Sequence, residues 1–395
     1  MADPQTTLLV TLTGRDRPGV TSRLFSALAA YPLSVVDVEQ VVIRGRLILG
    51  VLLSCQAAPD LTAIHRQVTG LADDLGMDVE ITMGSVERPP RRRGTMHVTV
   101  LGRPLAPAAI AAIAGRIAAN GANIDRIGRL AHQPVTCIEF DVSGADPVTL
   151  RTTLAHDSVG LGVDVAVQRG GLHRRAMRLI VMDVDSTLLQ DEAIELLAAE
   201  AGCAVPVAEL TAAAMRGELD FAQSLRDRVA LLAGLEVSVI DKVLRSLRLA
   251  PGARTLIRTL KRLGYRCGVV SGGFTPFTDW LTGELGLDYA AANTLEVADG
   301  RLTGQVIGEI IDRPGKERAL RQFAAAAGVP LSQSVAVGDG ANDLDMIAAA
   351  GLGIAFNAKP VVRSAADTSV SVPNLDAILY LLGISSDDVA GAEGL

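Results

Sequence analysis

RLIVMDVDSTLL, residues 178–189, runs an apolar stretch straight into two acids. Leu179 to Met182, with Val184 just beyond, shows no alternation of apolar and polar residues. That is the pattern of a strand covered on both faces in a parallel sheet. Asp183 breaks the run and Asp185 follows at the next-but-one position, while Ser186 and Thr187 offer turn and N-cap chemistry. Two carboxylates ending an apolar strand are costly unless something neutralises them, and a divalent cation is the obvious partner. The alternative is that each Asp only caps a turn.

Two further stretches repeat the pattern. Cys267 to Phe274, CGVVSGGF, is an apolar run ending in Ser271-Gly272-Gly273. Ser334 to Met346, SVAVGDGANDLDM, ends its run in Gly338-Asp339-Gly340, with Asn342 and Asp343 close behind. In a doubly wound sheet the C-terminal strand ends share one edge, so these polar residues are expected in one crevice. A fourth piece, Asp312-Arg313-Pro314-Gly315-Lys316, opens an amphipathic helix. A lysine near a helix N-terminus is disfavoured by the dipole, and a bound phosphate would make that placement useful. The plainer alternative is a solvated lysine.

Phosphoryl transfer needs these residue types. It is mostly positioning plus neutralisation of spread negative charge, supplied by a cation, a lysine and backbone N–H groups. A carboxylate nucleophile divides hydrolysis into two easier steps, and a second acid protonates the leaving alkoxide. Asp185 has the spacing for that role, since alternate residues at a strand end can face the same ligand. Mg²⁺ suits an all-oxygen site and pairs naturally with phosphate.

The ordered motifs DVDST, SGG, PGK and GDGAND resemble those of the haloacid dehalogenase-like hydrolases, and most closely the branch acting on O-phosphoserine. The resemblance covers about the C-terminal half. It implies an α/β catalytic domain with a doubly wound parallel sheet and a helical cap. It implies Mg²⁺-dependent hydrolysis of O-phospho-L-serine to serine and phosphate through a phosphoaspartyl intermediate, the closing step of serine synthesis. Asp183 would be the nucleophile and Asp185 the general acid and base. Ser271, Gly272 and Lys316 would hold the phosphoryl oxygens. Asp339 would complete the metal site with Asp183 and the Asp185 carbonyl. Asn342 would contact substrate, and Asp343 would steady the lysine or the surroundings of the metal.

Between Leu189 and Pro251 the pattern is wholly helical and resembles the family's cap, a lid that excludes water and selects substrate. By that resemblance Glu192 and Arg228 would grip the ammonium and carboxylate of the substrate, with Met215 and Phe221 as apolar neighbours. From composition alone Arg226 and Arg228 both read as solvent-facing.

The chain has 395 residues, which suggests two or three domains. Hydrophobic residues make up 49%, ample for several cores, and the net charge of -7 argues against a nucleic-acid partner. Cys55, Cys137, Cys203 and Cys267 form no C-x-x-C pair and read as reduced thiols. No apolar segment is long enough to span a membrane, and the start lacks a basic n-region and cleavage site; a cytoplasmic protein is expected.

Residues 6–85 read β-α-β-β-α-β, and residues 95–170 repeat that pattern, which suggests two copies of one α+β module. ERPPRRRG, Glu87 to Gly94, reads as a linker between them. The modules resemble ACT domains, amino-acid-sensing units. The expected layout is therefore a regulatory domain over 1–86, a second over 95–172 and the catalytic domain over 178–385, with its cap at about 190–250. In the first module the turn Gly14-Arg15-Asp16-Arg17-Pro18-Gly19 matches the family's ligand-contacting loop, so Asp16 and Gly19 are candidate effector contacts, with serine the natural effector. The alternative is a simple β-to-helix turn. In the second module Gly102-Arg103-Pro104-Leu105 lacks the Asp and the closing Gly. Both modules are expected to leave sheet edges or faces exposed, and pairing of two chains in a homodimer would cover them. The remaining functional alternatives are a relative acting on another small phosphomonoester, a phosphotransferase, or an amino-acid-binding regulator with a silent hydrolase fold. The closing segment SSDDVAGAEGL reads as a frayed tail.

Overall fold

The computed structural model describes residues 6–55, 60–85, 95–215 and 219–393. The linker expected over Glu87–Gly94 lies outside these residues, as does the side chain of Met215. The chain divides into two bodies, Met1–Arg92 and Arg93–Leu395.

The first body is the expected β-α-β-β-α-β module. Its strands are β1 (Thr6–Arg15), β2 (Leu33–Ile43), β3 (Arg46–Cys55) and β4 (Asp78–Ser85), in the antiparallel order β2-β3-β1-β4. Helices Val20–Leu28 and Leu61–Leu75 cover one face, packing Leu24, Ile64 and Val68 on Leu8, Val10, Leu49 and Val51. Arg44 and Gly45 both take positive φ, the geometry of a tight two-residue hairpin turn between β2 and β3. The Asp60 side chain caps the second helix by accepting from the Ala63 N–H at 3.0 Å. Edge strand β2 leaves Val35, Val38, Val41, Val42 and Ile43 exposed.

The second body opens with the repeated module: β5 (Met96–Gly102), β6 (Asn123–Ala131), β7 (Thr136–Ser143) and β8 (Asp164–Arg169), ordered β6-β7-β5-β8. Its second helix runs over Pro147–Leu161, because Pro147 starts it and the Asp146 carboxylate caps it by accepting from the Thr149 N–H. The expectation that both modules leave sheet edges or faces exposed meets a difference in this one, which packs on the catalytic domain. Leu101, Ala131, Cys137 and Ala166 of this module belong to one apolar core with Ile180 of the catalytic sheet and Leu256 and Leu379 of the helices packed on it. The seam is also polar. Gln168 Nε2 donates to the Leu381 carbonyl at 2.8 Å, and Asp164 accepts from the Ser371 N–H at 2.6 Å. Buried Arg174 donates to the Tyr380 and Leu381 carbonyls at 2.8 and 2.9 Å and pairs with Glu139.

The catalytic sheet has seven strands: β9 (Leu179–Met182), β10 (Arg266–Phe274), β11 (Tyr289–Ala298), β12 (Arg301–Ile307), β13 (Ser334–Gly338), β14 (Leu352–Phe356) and β15 (Thr368–Val370). Their order is β12-β11-β10-β9-β13-β14-β15, parallel except for the β11–β12 hairpin. Every residue of β9 is buried, as the absence of alternation predicts.

The lid enters and leaves through a two-stranded ribbon. Leu189 pairs with Leu249, Gln190 N–H donates to the Arg248 carbonyl at 2.9 Å, and Asp191 pairs with Arg248. The lid helices are Ala193–Glu200, Ala204–Met215, Phe221–Ala230 and Ser238–Ser246. The wholly helical pattern expected here is thus interrupted before the helix that carries Arg228, which the Asp220 carboxylate starts by accepting from the Gln223 N–H. The lid core also recruits residues outside 190–250: Phe274, Phe277, and Leu295 and Leu302 of the β11–β12 hairpin. The described residues of the closing segment are not frayed. They form a helix over Ser386–Glu393, because Ser385 and Asp388 exchange hydrogen bonds across its first turn and Val389 packs on the core. Among the described residues no helix is long and apolar enough to cross a membrane, and all four cysteines are free.

Candidate active site

Strands β10, β9 and β13 are neighbours in the sheet, so their C-terminal ends place Ser271, Asp183 and Asp339 along one edge. The Asp183 N–H still donates to the Val337 carbonyl at 2.9 Å, the last rung of the ladder. Beyond it the chain turns sharply: Ser186 sits at φ 57, in the left-handed region, and the Leu189 N–H closes on the Val184 carbonyl at 2.8 Å. Ser186 and Thr187 thus serve the turn, as one of the two expected roles, and not a cap, since the next helix starts only at Ala193. Their hydroxyls go elsewhere. Ser186 donates to Glu192 at 2.9 Å and Thr187 to Asp339 at 3.2 Å.

The turn separates the two acids. Asp183 Oδ1 accepts from the Val184 N–H at 2.8 Å and lies 2.7 Å from Lys316 Nζ. The Asp185 carboxylate points the other way, accepting from the Ala193 N–H at 2.9 Å and the Ser271 hydroxyl at 3.1 Å. Ser271 Oγ in turn accepts from the Gly273 N–H at 2.7 Å.

Lys316 is not solvated. Its side chain is fully buried, four residues after the N-capping Asp312, and its ammonium lies 2.7 Å from both Asp183 and Asp343. Two carboxylates thus offset the unfavourable helix dipole, and Asp343 steadies the lysine as the resemblance implies. Asp343 is wholly engaged: its Oδ1 holds the lysine, and its Oδ2 accepts from the Gly340 N–H at 3.0 Å. Gly338 makes this possible, since a Cβ there would meet Asp343 Cγ at 2.3 Å.

The carboxylates of Asp183, Asp339 and Asp343 come within 4.8 Å of one another. Burial pulls the Lys316 ammonium down, but Asp183 and Asp343 outweigh it and hold it above its ordinary value. Burial and the Asp343 charge push Asp183 well above the usual carboxylate range, and push Asp339 up to about 6. Three carboxylates against one ammonium leave surplus negative charge in an oxygen-only donor set. That fits a hard divalent cation. Burial also raises Asp185, against the hydrogen bonds from Ala193 and Ser271.

The lid contributes Glu192, raised to about 7 by burial and by the Asp185 charge. Arg228 is half-buried, donating to the Ser224 carbonyl at 3.2 Å and feeling the charges of Glu192 and Asp185, whereas Arg226 is exposed. Phe221 covers Gly272. Asn342 is half-buried and folds back over Gly340. The site thus gathers every candidate of the catalytic half whose side chain is described. Thr187 and Asn293 were not anticipated. The T of DVDST was a visible signal for the first, and nothing in AANTLEV marked the second. In the first body, Gly19 takes φ 91 and starts the helix Val20–Leu28, while the exposed Asp16 donates its N–H to the Gly45 carbonyl at 2.8 Å.

Comparison with known proteins defines the class first. The model of the haloacid dehalogenase-like hydrolases matches residues 180–348, and ACT-domain models match residues 6–82 and 94–168. A phosphoserine phosphatase of Streptomyces coelicolor is 63% identical over 389 residues, covering 98% of this chain and 95% of the relative. Phosphoserine phosphatase SerB2 of Mycobacterium tuberculosis is 53% identical over 393 residues, again covering 98% and 95%. A solved structure described as a phospho-aspartyl intermediate analogue of phosphoserine phosphatase is 44% identical, with a TM-score of 0.50, over 52% of this chain and 98% of that one. The chain belongs to the phosphoserine phosphatase family of haloacid dehalogenase-like hydrolases, with two ACT domains preceding the hydrolase domain.

Proposed function

We propose that this chain hydrolyses O-phospho-L-serine to serine and phosphate, with Asp183 as nucleophile and Asp185 as general acid and base. The observation that carries the reading is the division of labour between the two acids: Asp183 faces the buried ammonium of Lys316, and Asp185 faces the Ser271 hydroxyl. Asp183 Oδ attacks phosphorus as the bond to the serine oxygen breaks, and Asp185 delivers a proton to that oxygen. Water then attacks the phosphoaspartyl group, giving its proton to Asp185 and restoring the Asp183 carboxylate. A carboxyl held above its usual range by burial is suited to the acid role. The 44% identical relative solved as a phospho-aspartyl intermediate analogue supports the same route.

Asp183, Asp339 and the Asp185 carbonyl would hold Mg²⁺, since both oxygens of Asp343 are already engaged. When bound, Mg²⁺ supplies Lewis-acid neutralisation of the phosphoryl charge. Lys316, Ser271 and Gly272 hold the phosphoryl oxygens. Glu192 takes the substrate ammonium, Arg228 its carboxylate, and Asn342 a further substrate contact. Phosphate release from O-phosphoserine, phosphothreonine and simple sugar phosphates, with and without Mg²⁺, tests the substrate and the metal together. Comparable rates on all three substrates would remove the proposed selectivity.

An amino-acid effector, serine first, would bind at the turn carrying Asp16 and Gly19, a reading the two ACT-domain matches support. A serine titration that moves neither activity nor melting temperature would exclude it. The exposed apolar edge β2 supports a homodimer, which a monomeric mass in light scattering would contradict.

A further inference from the structure

Strand β10 does not keep step with β11 at the phosphate loop. Val270 faces Ala291 and Phe274 faces Asn293, so β10 advances four residues while β11 advances two. Ser271-Gly272-Gly273 is therefore pushed out of the ladder, and its backbone loses the strand partners that would fix it. Two consecutive glycines impose little conformational restriction of their own.

Asn293 stands where the ladder fails. It is a polar side chain only 1% exposed, with both ends of its amide engaged. Its Nδ2 donates to the Gly272 carbonyl at 2.8 Å, and its Oδ1 accepts from the Ile311 N–H at 2.8 Å. One partner is an acceptor and the other a donor, so only one amide orientation satisfies both. The peptide between Gly272 and Gly273 is thereby held on both sides, its carbonyl by Asn293 and its N–H by Ser271 Oγ at 2.7 Å. Ile311 immediately precedes Asp312, the cap of the helix that carries Lys316. A single side chain thus ties the phosphate loop to the lysine helix.

We propose that Asn293 is a positioning residue for phosphoryl transfer: it fixes the Gly272–Gly273 peptide and sets the spacing between that loop and Lys316. The inference rests on the function proposed above. If the peptide rotated, Ser271 Oγ would lose the Gly273 N–H that orients its hydroxyl towards Asp185, and the Gly272 backbone would shift at the phosphoryl group, which penalises the transition state more than substrate binding. Such a role affects kcat and leaves KM largely intact.

The test uses the full chain with Asn293→Leu, which removes both hydrogen bonds at similar volume, and Asn293→Asp, which keeps the acceptor for Ile311 but loses the donor to Gly272. With p-nitrophenyl phosphate as substrate, kcat should fall roughly 10- to 100-fold with KM changed by less than about threefold. Inhibition by orthovanadate, a mimic of the transferring phosphoryl group, should weaken in parallel with kcat. A folded variant that keeps both kcat and vanadate inhibition within about twofold of the parent overturns the proposal. Failure of both variants to fold overturns it too, since the side chain would then serve the fold. O-phosphoserine is assayed beside it. If the parent releases no phosphate from that substrate, the proposed substrate is lost while the vanadate series still judges Asn293.

Discussion

Phe221, on the lid, rests against the backbone of Gly272 in the phosphate loop: a Cβ built on that glycine would meet the ring's Cζ at 3.0 Å. Lid and loop therefore touch through one aromatic edge and one bare backbone. Gly272→Ala should hold the lid away from the loop and lower kcat/KM by roughly 10- to 100-fold. Removing the obstructing ring as well, in a Gly272→Ala, Phe221→Ala double variant, should recover part of the loss. Measured phosphate release that simply adds the two single losses would argue against the contact.

Lys316 and its two carboxylates form a buried ion network whose members neutralise one another. Lys316→Met leaves Asp183 and Asp343 without their cation. The cost should be about 3–5 kcal/mol of stability in urea unfolding, alongside loss of turnover. An unfolding midpoint equal to the parent's would show that the carboxylates do not depend on the lysine.

Glu192, pushed up to about 7 by burial and by Asp185, is charged above that pH and neutral below it. If its carboxylate pairs with the substrate ammonium, KM should rise as pH falls through about 7, with kcat less affected. The substrate phosphate has its own second pKa of about 6, so the decisive comparison is with Glu192→Gln. That variant should show a raised KM with a flatter pH dependence. Parallel KM–pH curves for the two would assign the titration to another group.

Arg174 spans the seam between the second ACT domain and the catalytic sheet, satisfying two carbonyls and Glu139 at once. Arg174→Ala should destabilise the second body by about 3 kcal/mol, since it leaves the Glu139 carboxylate without its guanidinium and takes one of two donors from each of the Tyr380 and Leu381 carbonyls. Calorimetry should show that body unfolding in one transition, with the second ACT domain failing together with the catalytic sheet. A separate, earlier transition for residues 95–170 would show the seam to be weak.

Strand ends were legible because they are local: an apolar run stopped by Asp, Ser or Gly says both where a strand ends and which chemistry it carries. The convergence of Asp183, Ser271 and Asp339 followed from sheet geometry alone. What escaped sequence reading is tertiary. Nothing local distinguishes Asn293 from any turn asparagine, and nothing marks Arg174 as buried, because each acquires its role from partners far along the chain. The resemblance implied Asp343 beside Lys316, but nothing local showed the packing of its loop over Gly338 that lets it reach the lysine. The helix over Ser386–Glu393 was missed although its cap, Ser385 with Asp388, stood in the sequence. Low apolar content there outweighed a capping signal of about 1 kcal/mol.

The central claim is that Asp183 attacks phosphorus, and Asp183→Asn tests it with little change in shape. Phosphate release from O-phosphoserine with Mg²⁺ present should fall by at least roughly 10³-fold while the variant stays folded. Turnover at the parental rate by the folded asparagine variant would contradict the account.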